Sequence, residues 1–234
     1  MALSFDFNGE ITVVTGACGA LGSSVSRKFI ENGSTICAID IIDIDDDDSL
    51  LEPQDAIHFY QIDATDEADV ESSIGEMVEK HDQIDNLCNI AGTWRGGHPI
   101  EQTALDEVKL LFNVNFVTAF LMTKHALPHL QQTNGSIVNV SSRSSLEGGE
   151  GDGPYRAMKA GIRRLTETVA EENKGTVRAN AIMPSVIDTP MNREMMEPSD
   201  EWVDPEDIAD VIMWLCSDVT AVTSGAAIPV YGEA

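Results

Sequence analysis

The chain has 234 residues, and 40 Asp and Glu against 14 Lys and Arg give it a formal net charge of -26 at pH 7. This length allows one domain with a substantial hydrophobic core and is too short for two such domains. A surface this acidic repels phosphate backbones and anionic lipids, so we expect neither nucleic acid nor a membrane surface as a partner.

Three features of the sequence indicate a cytoplasmic protein. No run approaches the ~18 apolar residues of a membrane-spanning helix. The N-terminal residues MALSFDFNGE lack the basic and then apolar pattern of an export signal. The cysteines are scattered without a CxxC pair, which is typical of buried free thiols in a reducing compartment. They are Cys18, Cys37, Cys88 and Cys216.

The acidity itself has competing interpretations. High charge with low hydrophobicity is typical of disorder, but 42% hydrophobic residues in regular blocks indicate a folded domain. We interpret the charge as adaptation to concentrated salt, because at ~1 M salt the Debye length is only ~3 Å and surface carboxylates stop repelling one another. The alternative is an ordinary, very acidic cytosolic protein.

Apolar runs and helical periodicity alternate along the chain. The runs predict strands at 11–16, 34–40, 56–63, 84–92, 135–142, 175–182 and 225–230, and helical spacing predicts helices near 20–32, 66–81, 105–127, 155–173 and 205–217. Near-continuous apolar strands are typical of a parallel sheet buried on both faces. We therefore predict a single-domain α/β fold, a Rossmann-type doubly wound parallel sheet of about seven strands with helices on both faces.

The first predicted strand leads into Thr15-Gly16-Ala17-Cys18-Gly19-Ala20-Leu21-Gly22 and then a helix. Glycines in this position allow a tight turn and let the backbone approach a pyrophosphate, although some such patterns are plain strand–helix turns. Asp40 ends the second strand, where a carboxylate accepts hydrogen bonds from ribose hydroxyls and repels a 2′-phosphate. No Lys or Arg occurs between residues 29 and 79 to compensate that phosphate, which favours NAD(H) over NADP(H).

A second candidate site contains Tyr155 and Lys159, which share one face of a helix because they are four residues apart. Lowering the pKa of a Tyr from ~10 to ~7 requires ~4 kcal/mol of differential interaction, which a nearby ammonium helps to supply. Ser142 ends the preceding strand and Asn115 lies on the long helix before it. By contrast, His125 and His129 lack an evident third ligand, so we expect no metal site.

Together these motifs resemble the short-chain dehydrogenase/reductase family, in its short single-domain branch. The resemblance rests on TGACGALG, Asp40, Asp63, Asn89-Ile90-Ala91-Gly92, Asn115, Ser142, Tyr155, Lys159 and Pro184-Ser185-Val186-Ile187-Asp188-Thr189. It covers essentially the whole chain and implies one NAD(P)-binding domain over 1–234. The implied substrate loops lie near 93–103, 143–153 and 190–200.

The resemblance implies a role for each matching residue. Tyr155 is the expected general acid/base, Ser142 binds the reacting oxygen, Lys159 lowers the pKa of Tyr155 and binds the nicotinamide ribose, and Asn115 holds a water. The residues expected at the cofactor are Gly16, Cys18, Gly19, Ala20, Leu21, Gly22, Asp40, Asp63, Ala64, Asn89, Ala91, Gly92, Tyr155, Lys159, Pro184, Ile187 and Thr189.

Several positions depart from the family pattern. The middle glycine, Gly19, comes one place early, as in the extended branch, whose members carry a further C-terminal domain. Met158 stands where Ser is common, Ser185 replaces the usual Gly, and the ending PVYGEA differs from the common VDGG. None of these departures removes a catalytic group.

The function implied is that of an NAD(H)-dependent oxidoreductase that interconverts a secondary alcohol and a ketone. We expect a homotetramer or homodimer built on the helices near 105–127 and 155–173. The alternatives are a catalytically silent NAD-binding or scaffold protein and a sugar-nucleotide epimerase or dehydratase. Arg95 and Arg143 indicate an anionic or polyhydroxylated substrate, or simply pair with local carboxylates. The methionines at 190–200 form an apolar lid or only pack.

Overall fold

The computed structural model describes residues 5–232. The interpretation of the N-terminus as lacking an export signal includes residues 1–4, and the PVYGEA ending includes residues 233–234, so both lie partly outside the described residues. Its strands are β1 (Ile11–Thr15), β2 (Thr35–Asp40), β3 (Ile57–Gln61), β4 (Asn86–Asn89), β5 (Ser136–Val140), β6 (Arg178–Pro184) and β7 (Ala227–Val230). All pair in parallel in one sheet, in the order β3-β2-β1-β4-β5-β6-β7. This confirms the predicted Rossmann-like α/β class.

Helices cover both faces of the sheet. They are α1 (Ala20–Glu31), α2 (Glu67–His81), α3 (Leu105–Phe112), α4 (Thr118–Thr133), α5 (Gly153–Glu172), α6 (Pro190–Met195) and α7 (Pro205–Cys216). Adjacent residues of a strand point to opposite faces. Val14 therefore joins the core beneath α1 and α7, and Val13 joins the core beneath α2 and α4.

The long middle helix differs from its predicted limits. A π-helical segment, Asn113–Val117, joins α3 to α4, and α4 continues through Pro128 instead of ending near residue 127. Leu130 is fully buried, and Asn134 ends the helix in the left-handed conformation with its N–H bonded to the Leu130 carbonyl. Burial of this last turn therefore outweighs the backbone hydrogen bond that a helical proline removes.

This continuous helix also corrects the expectation that no run approaches spanning length. Within residues 5–232, Leu105–Thr133 alone is long and apolar enough to cross a membrane, and 44% of its apolar window is buried inside the fold. Leu111, Leu121, Met122 and Leu130 pack inside the protein. Core packing accounts for part of this apolarity, so the run is weak evidence for a membrane span.

Two smaller features shape the carboxyl edge of the sheet. The segment 183–204, for which the sequence predicted no regular structure, contains α6, and Ile187 pairs with Val203 in a parallel bridge. The Thr189 hydroxyl caps α6 by accepting from the Asn192 N–H at 3.1 Å. Short polar caps of this kind stabilise helices that periodicity alone does not reveal.

Arg178 fixes α7 against β6. Its guanidinium donates to the carbonyls of Leu215 at 2.6 Å and Cys216 at 2.8 Å, which end α7. A cation at a helix C-terminus satisfies carbonyls that lack intrahelical partners and complements the helix dipole. The four cysteines are buried free thiols, as the sequence predicted.

Candidate functional site

The glycine-rich loop lies at the point where the strand order reverses, between β1 and β4. The Thr15 hydroxyl accepts from the N–H groups of Ile90 at 3.0 Å and Ala91 at 3.1 Å. Gly16 has φ +66°, and a Cβ there would lie 2.9 Å from the Ala91 Cα. Such a switch point is where doubly wound sheets bind ligands.

Gly22 allows α1 to pack onto the loop, because an added Cβ would lie 2.0 Å from the Gly16 carbonyl oxygen. Gly19 is different: it is the N-cap of α1 with φ -77°, and its Cβ would lie 3.4 Å from the same oxygen. The backbone at Gly19 therefore has a conformation that residues other than glycine can also adopt. The first turn of α1 carries no acidic side chain, so its N–H groups and positive dipole end suit a pyrophosphate.

The Asp40 carboxylate is anchored at the end of β2. It accepts from the N–H of Cys18 at 2.9 Å and of Ile42 at 3.1 Å, and so ties the glycine-rich loop to the second strand. The Asp63 carboxylate accepts from the Thr65 N–H at 2.9 Å and hydroxyl at 2.7 Å, in a turn that leads through Ala64 to α2. Both acids lie at the edge where the strands end.

Asn89 faces the interior. Its amide donates to the Asn139 Oδ1 at 2.8 Å and to the Thr123 hydroxyl at 3.2 Å, and its own Oδ1 is buried without a partner among the described residues. The Asn139 amide continues the network to the Thr166 hydroxyl at 2.8 Å. The Asn89 side chain therefore links β4 to β5 and α4.

Asn115 lies in the π-helical segment, and only 2% of its surface is exposed. It accepts from the Thr93 N–H at 3.2 Å and donates to the Thr93 carbonyl at 2.9 Å. A Cβ added to Gly92 would lie 2.9 Å from the Asn115 Oδ1 and 3.2 Å from the Lys159 Nζ. Three segments distant in sequence thus meet at one point.

Lys159 and Tyr155 share the face of α5 that meets this point. The Lys159 Nζ donates to the Val140 carbonyl at 2.9 Å and lies 5.8 Å from the centre of the Tyr155 ring. Burial lowers the pKa of Lys159 to about 8, because a charged ammonium loses hydration inside the protein.

The surroundings of Tyr155 within the protein raise its pKa. Burial raises it above the ordinary Tyr value, the Asp152 carboxylate raises it further, and the Ser142 hydroxyl lowers it. Because the net shift is upward, the phenol is protonated at neutral pH. Ser142 follows β5, and its Oγ accepts from the Ser144 N–H at 3.1 Å. The sequence analysis did not single out Asp152, which is the N-cap residue of α5 three residues before Tyr155.

The segment after β6 reaches the same edge. The Pro184 backbone ends β6, the Ile187 carbonyl accepts from the Asn192 amide at 2.8 Å, and Thr189 caps α6. Met191, Met195 and Met196 are exposed on or beside α6. Away from the site, His125 contacts Glu67 at 3.2 Å, and no group of three candidate metal ligands occurs among residues 5–232.

The family model described as short chain dehydrogenase matches residues 10–200. The chain belongs to this family. It is 31% identical to the 3-oxoacyl-[acyl-carrier-protein] reductase FabG of Thermotoga maritima, covering 96% of this chain and 97% of that protein. It is 32% identical to the meso-2,3-butanediol dehydrogenase of Serratia marcescens, covering 97% and 95%.

A solved structure agrees with the family assignment. The short-chain dehydrogenase/reductase SDR:Glucose/ribitol dehydrogenase of Brucella melitensis superposes with a TM-score of 0.89 at 26% identity, over 98% of each chain. The family contains oxidoreductases named for alcohols and sugars, so the broad class of this protein is that of a short-chain dehydrogenase.

The glycine-rich loop of this short-chain dehydrogenase generates a stability prediction. Gly22→Ala should lower the free energy of unfolding by about 3 kcal/mol, because its Cβ would overlap the Gly16 carbonyl and overpacking displaces backbone. Gly19→Ala is the matched control and should cost about 1 kcal/mol or less, as expected for an N-cap glycine. Denaturant unfolding of both variants measures the difference, and equal losses would contradict the packing argument.

Proposed function

We propose that this protein is an NAD(H)-dependent oxidoreductase that interconverts a secondary alcohol and a ketone, with Tyr155 as the general acid/base. The observation that supports the proposal is the meeting of Asn115, Lys159 and Tyr155 beside Ser142, at the edge that also carries the glycine-rich loop. A buried phenol next to a buried ammonium serves proton transfer better than it serves stability, because both groups lose hydration there.

In the proposed reduction, the Tyr155 hydroxyl gives its proton to the substrate oxygen, and Ser142 donates a hydrogen bond to the same oxygen. Lys159 lies close enough to stabilise the resulting phenolate, and Asn115 holds the Thr93 segment in place beside Lys159. A bound nicotinamide supplies the hydride for reduction, accepts it in oxidation, and in its oxidised form adds a positive charge beside the site.

The proposed cofactor site follows the carboxyl edge of the sheet. The N-terminus of α1 and the glycines at 16, 19 and 22, with Cys18, Ala20 and Leu21, would bind the pyrophosphate. Asp40 would accept from the adenosine ribose, Asp63 and Ala64 would lie at the adenine, and the Asn89, Ala91 and Gly92 backbone, with Lys159, Pro184, Ile187 and Thr189, would contact the nicotinamide half. The loops near 93–103, 143–153 and 190–200 would then bind the substrate.

The protonation state of Tyr155 gives the first functional prediction. Since burial raises its pKa, alcohol oxidation, which needs the phenolate, should become faster as pH rises toward that pKa. Tyr155→Phe should lower kcat about 10²- to 10⁴-fold, the usual contribution of a general acid/base, and retain cofactor binding. Alcohols, sugars and hydroxy acids assayed with NAD⁺ at several salt concentrations test this.

Tyr60→Phe is the control for that assay, since Tyr60 lies on the edge strand β3 and should leave turnover unchanged. Equal rates for wild type and Tyr155→Phe would contradict the mechanism. Cofactor binding without turnover of any substrate would favour the silent NAD-binding or scaffold alternative. An isomerised product without net cofactor reduction would favour the epimerase or dehydratase alternative.

The cofactor preference gives a second prediction. In the proposed site Asp40 would face a 2′-phosphate, and residues 29–79 contain no Lys or Arg, so NAD(H) should bind at least about tenfold more tightly than NADP(H). Asp40→Asn keeps one acceptor oxygen and removes the charge, so it should reduce the preference for NAD(H) over NADP(H). Asp47→Asn, in the same acidic loop, is the charge control. Titration by nicotinamide fluorescence measures the ratios, and tighter binding of NADP(H) by wild type would overturn the role of Asp40.

We also propose a homodimer or homotetramer formed through the long middle helix. Leu105, Phe112 and Phe120 recur along one stripe of that helix and remain 66%, 43% and 43% exposed. Phe116 belongs to the same stripe, stacks on Phe112 at 5.6 Å between ring centres, and packs against Gly161 of α5. A contiguous apolar stripe of this kind is typical of a surface that a partner covers.

Salt adaptation is the proposed reason for the remaining acidity, and the cytoplasm is the proposed location. In the loop Asp43–Asp48, the carboxylates of Asp43 and Asp46 accept from backbone N–H groups of their own turns, at 3.1 and 2.9 Å. No Lys or Arg is close in sequence, so screening by dissolved ions has to replace counter-charges on the protein.

The assembly and salt proposals give a joint prediction. Lowering KCl from about 2 M to about 0.1 M extends the Debye length from about 2 to about 10 Å, so the melting temperature should fall and the oligomer should dissociate. Phe120→Gln should weaken the oligomer at high salt, whereas Val222→Gln, at a side chain 98% exposed elsewhere, should not. Light scattering measures the mass of the oligomer, and calorimetry measures the melting temperature. Unchanged mass and melting at low salt would contradict salt adaptation, and a monomer at every salt concentration would contradict the oligomer.

A further inference from the structure

The few cations of this acidic protein are almost all matched by acceptors. Ion pairs with Asp or Glu are formed by Arg27, Lys28, Lys109, Lys124, Arg156, Arg164, Lys174 and Arg193. Uncharged acceptors are used by Lys80, Lys159, Arg163 and Arg178. Among residues 5–232, Arg95 and Arg143 have neither kind of partner. With 40 carboxylates for 14 cations, an unpaired Arg requires an explanation.

Arg143 is held by an aromatic ring instead of a carboxylate. Its guanidinium carbon lies 5.0 Å from the centre of the Tyr231 ring, within the range of a cation–π contact. Arg143 follows Ser142 after β5, and Tyr231 follows β7, with β6 between these strands. The side chain therefore spans the carboxyl end of β6, beside the segment assigned above to the cofactor.

Tyr231 is itself fixed in place by a residue that departs from the family pattern. The Ser185 hydroxyl donates to the Tyr231 carbonyl at 3.0 Å, and the Ser185 N–H donates to the Val230 carbonyl at 3.1 Å. The usual Gly at position 185 would lack this hydroxyl. Ser185 and Tyr231 both depart from the family pattern. Together they position Arg143.

The acids nearest in sequence leave Arg143 available. Glu147 and Glu150 follow it in an exposed loop, and neither forms an ion pair with it. Arg156, which also reaches this loop, is satisfied by Asp152 and the Glu147 carbonyl. A guanidinium held over a ring face makes no hydrogen bond to the ring, so its N–H donors remain free to bind a carboxylate or phosphate through two hydrogen bonds.

We propose that Arg143 binds an oxyanion of the substrate, so that the enzyme acts on hydroxy or keto compounds that carry a carboxylate or a phosphate. This inference rests on the proposed oxidoreductase function. It decides between the options left by the sequence, because local carboxylate pairing does not occur at Arg143. A protein of charge -26 repels anions at long range, so a substrate anion needs a specific cation at short range.

The test compares anionic carbonyl compounds with neutral counterparts. Pyruvate and methyl pyruvate, acetoacetate and methyl acetoacetate, and dihydroxyacetone phosphate and dihydroxyacetone are assayed with NADH. Wild type should prefer the anionic member of at least one pair, and the pair preferred distinguishes carboxylate from phosphate. Arg143→Gln should lower that anion-to-neutral ratio of kcat/KM about 10- to 100-fold, mainly through KM, as expected for loss of a charge-assisted hydrogen bond.

Three variants separate anion binding from general charge and folding. Arg164→Gln removes the same charge from an exposed ion pair on α5 and should keep the ratio. Tyr231→Phe keeps the ring and should leave the anion-to-neutral ratio of kcat/KM unchanged. Tyr231→Leu removes the ring and should lower that ratio. Equal or faster turnover of the neutral compounds by wild type would overturn the proposal, as would an Arg143→Gln variant with an unchanged ratio.

A binding measurement distinguishes failure of this inference from failure of the proposed function. Thermal shifts are recorded for wild type and Arg143→Gln with NADH and each compound. If no compound reacts but the anions stabilise wild type alone, the anion site stands and the oxidoreductase function fails. If neutral ketones react and no anion binds better than its neutral partner, the function stands and the role of Arg143 is wrong.

Discussion

The Thr15 hydroxyl, which accepts two N–H groups from the segment after β4, joins the two halves of the site. It joins the end of β1 to the segment that follows β4, at the point where the strand order reverses. The Gly16 backbone also approaches Ala91 there. The glycine-rich loop lies on one side of this junction, and Gly92, Asn115 and Lys159 lie on the other. Both halves therefore depend on one side chain that satisfies backbone donors which the ending strands leave unpaired.

Burial of polar groups is the second constraint on the site. Lys159, Asn115 and Ser142 are all at least nine-tenths buried, and each has a hydrogen-bond partner that fixes its position. Burying such groups costs free energy unless their bonds are satisfied. The network through Asn89, Asn139 and Thr166 links β4, β5 and α5, and α5 carries Lys159 and Tyr155.

Charge is distributed in two different ways over the molecule. Over most of the surface, the scarce cations are neutralised by acids, and the excess acids face solvent. At the carboxyl edge the pattern changes: Lys159 donates to a carbonyl, and the Arg143 guanidinium lies over the Tyr231 ring. Two cations without a carboxylate partner therefore lie at the edge proposed for a nicotinamide cofactor and an anionic substrate, in a protein that is otherwise strongly negative.

The fold could be predicted closely because strand and helix periodicity are local properties. Each predicted strand occurs within its predicted range or within two residues of it, as with β6, which runs to Pro184. The limits of the middle helix could not be predicted, because burial of Leu130 carries α4 past Pro128. The helix α6 was missed because its six residues are too few for helical periodicity to be recognised in the sequence.

By itself, the sequence determined the fold class, the family and the identity of the candidate site residues, because these depend on residue types and their spacing. Only the tertiary structure decided how those residues interact. It turned the Asn89 amide inward, raised the pKa of Tyr155 through burial and Asp152, and brought Ser185, Tyr231 and Arg143 together across β6. Contacts between strand ends depend on the order of strands in the sheet, which the spacing of residues along the chain does not contain.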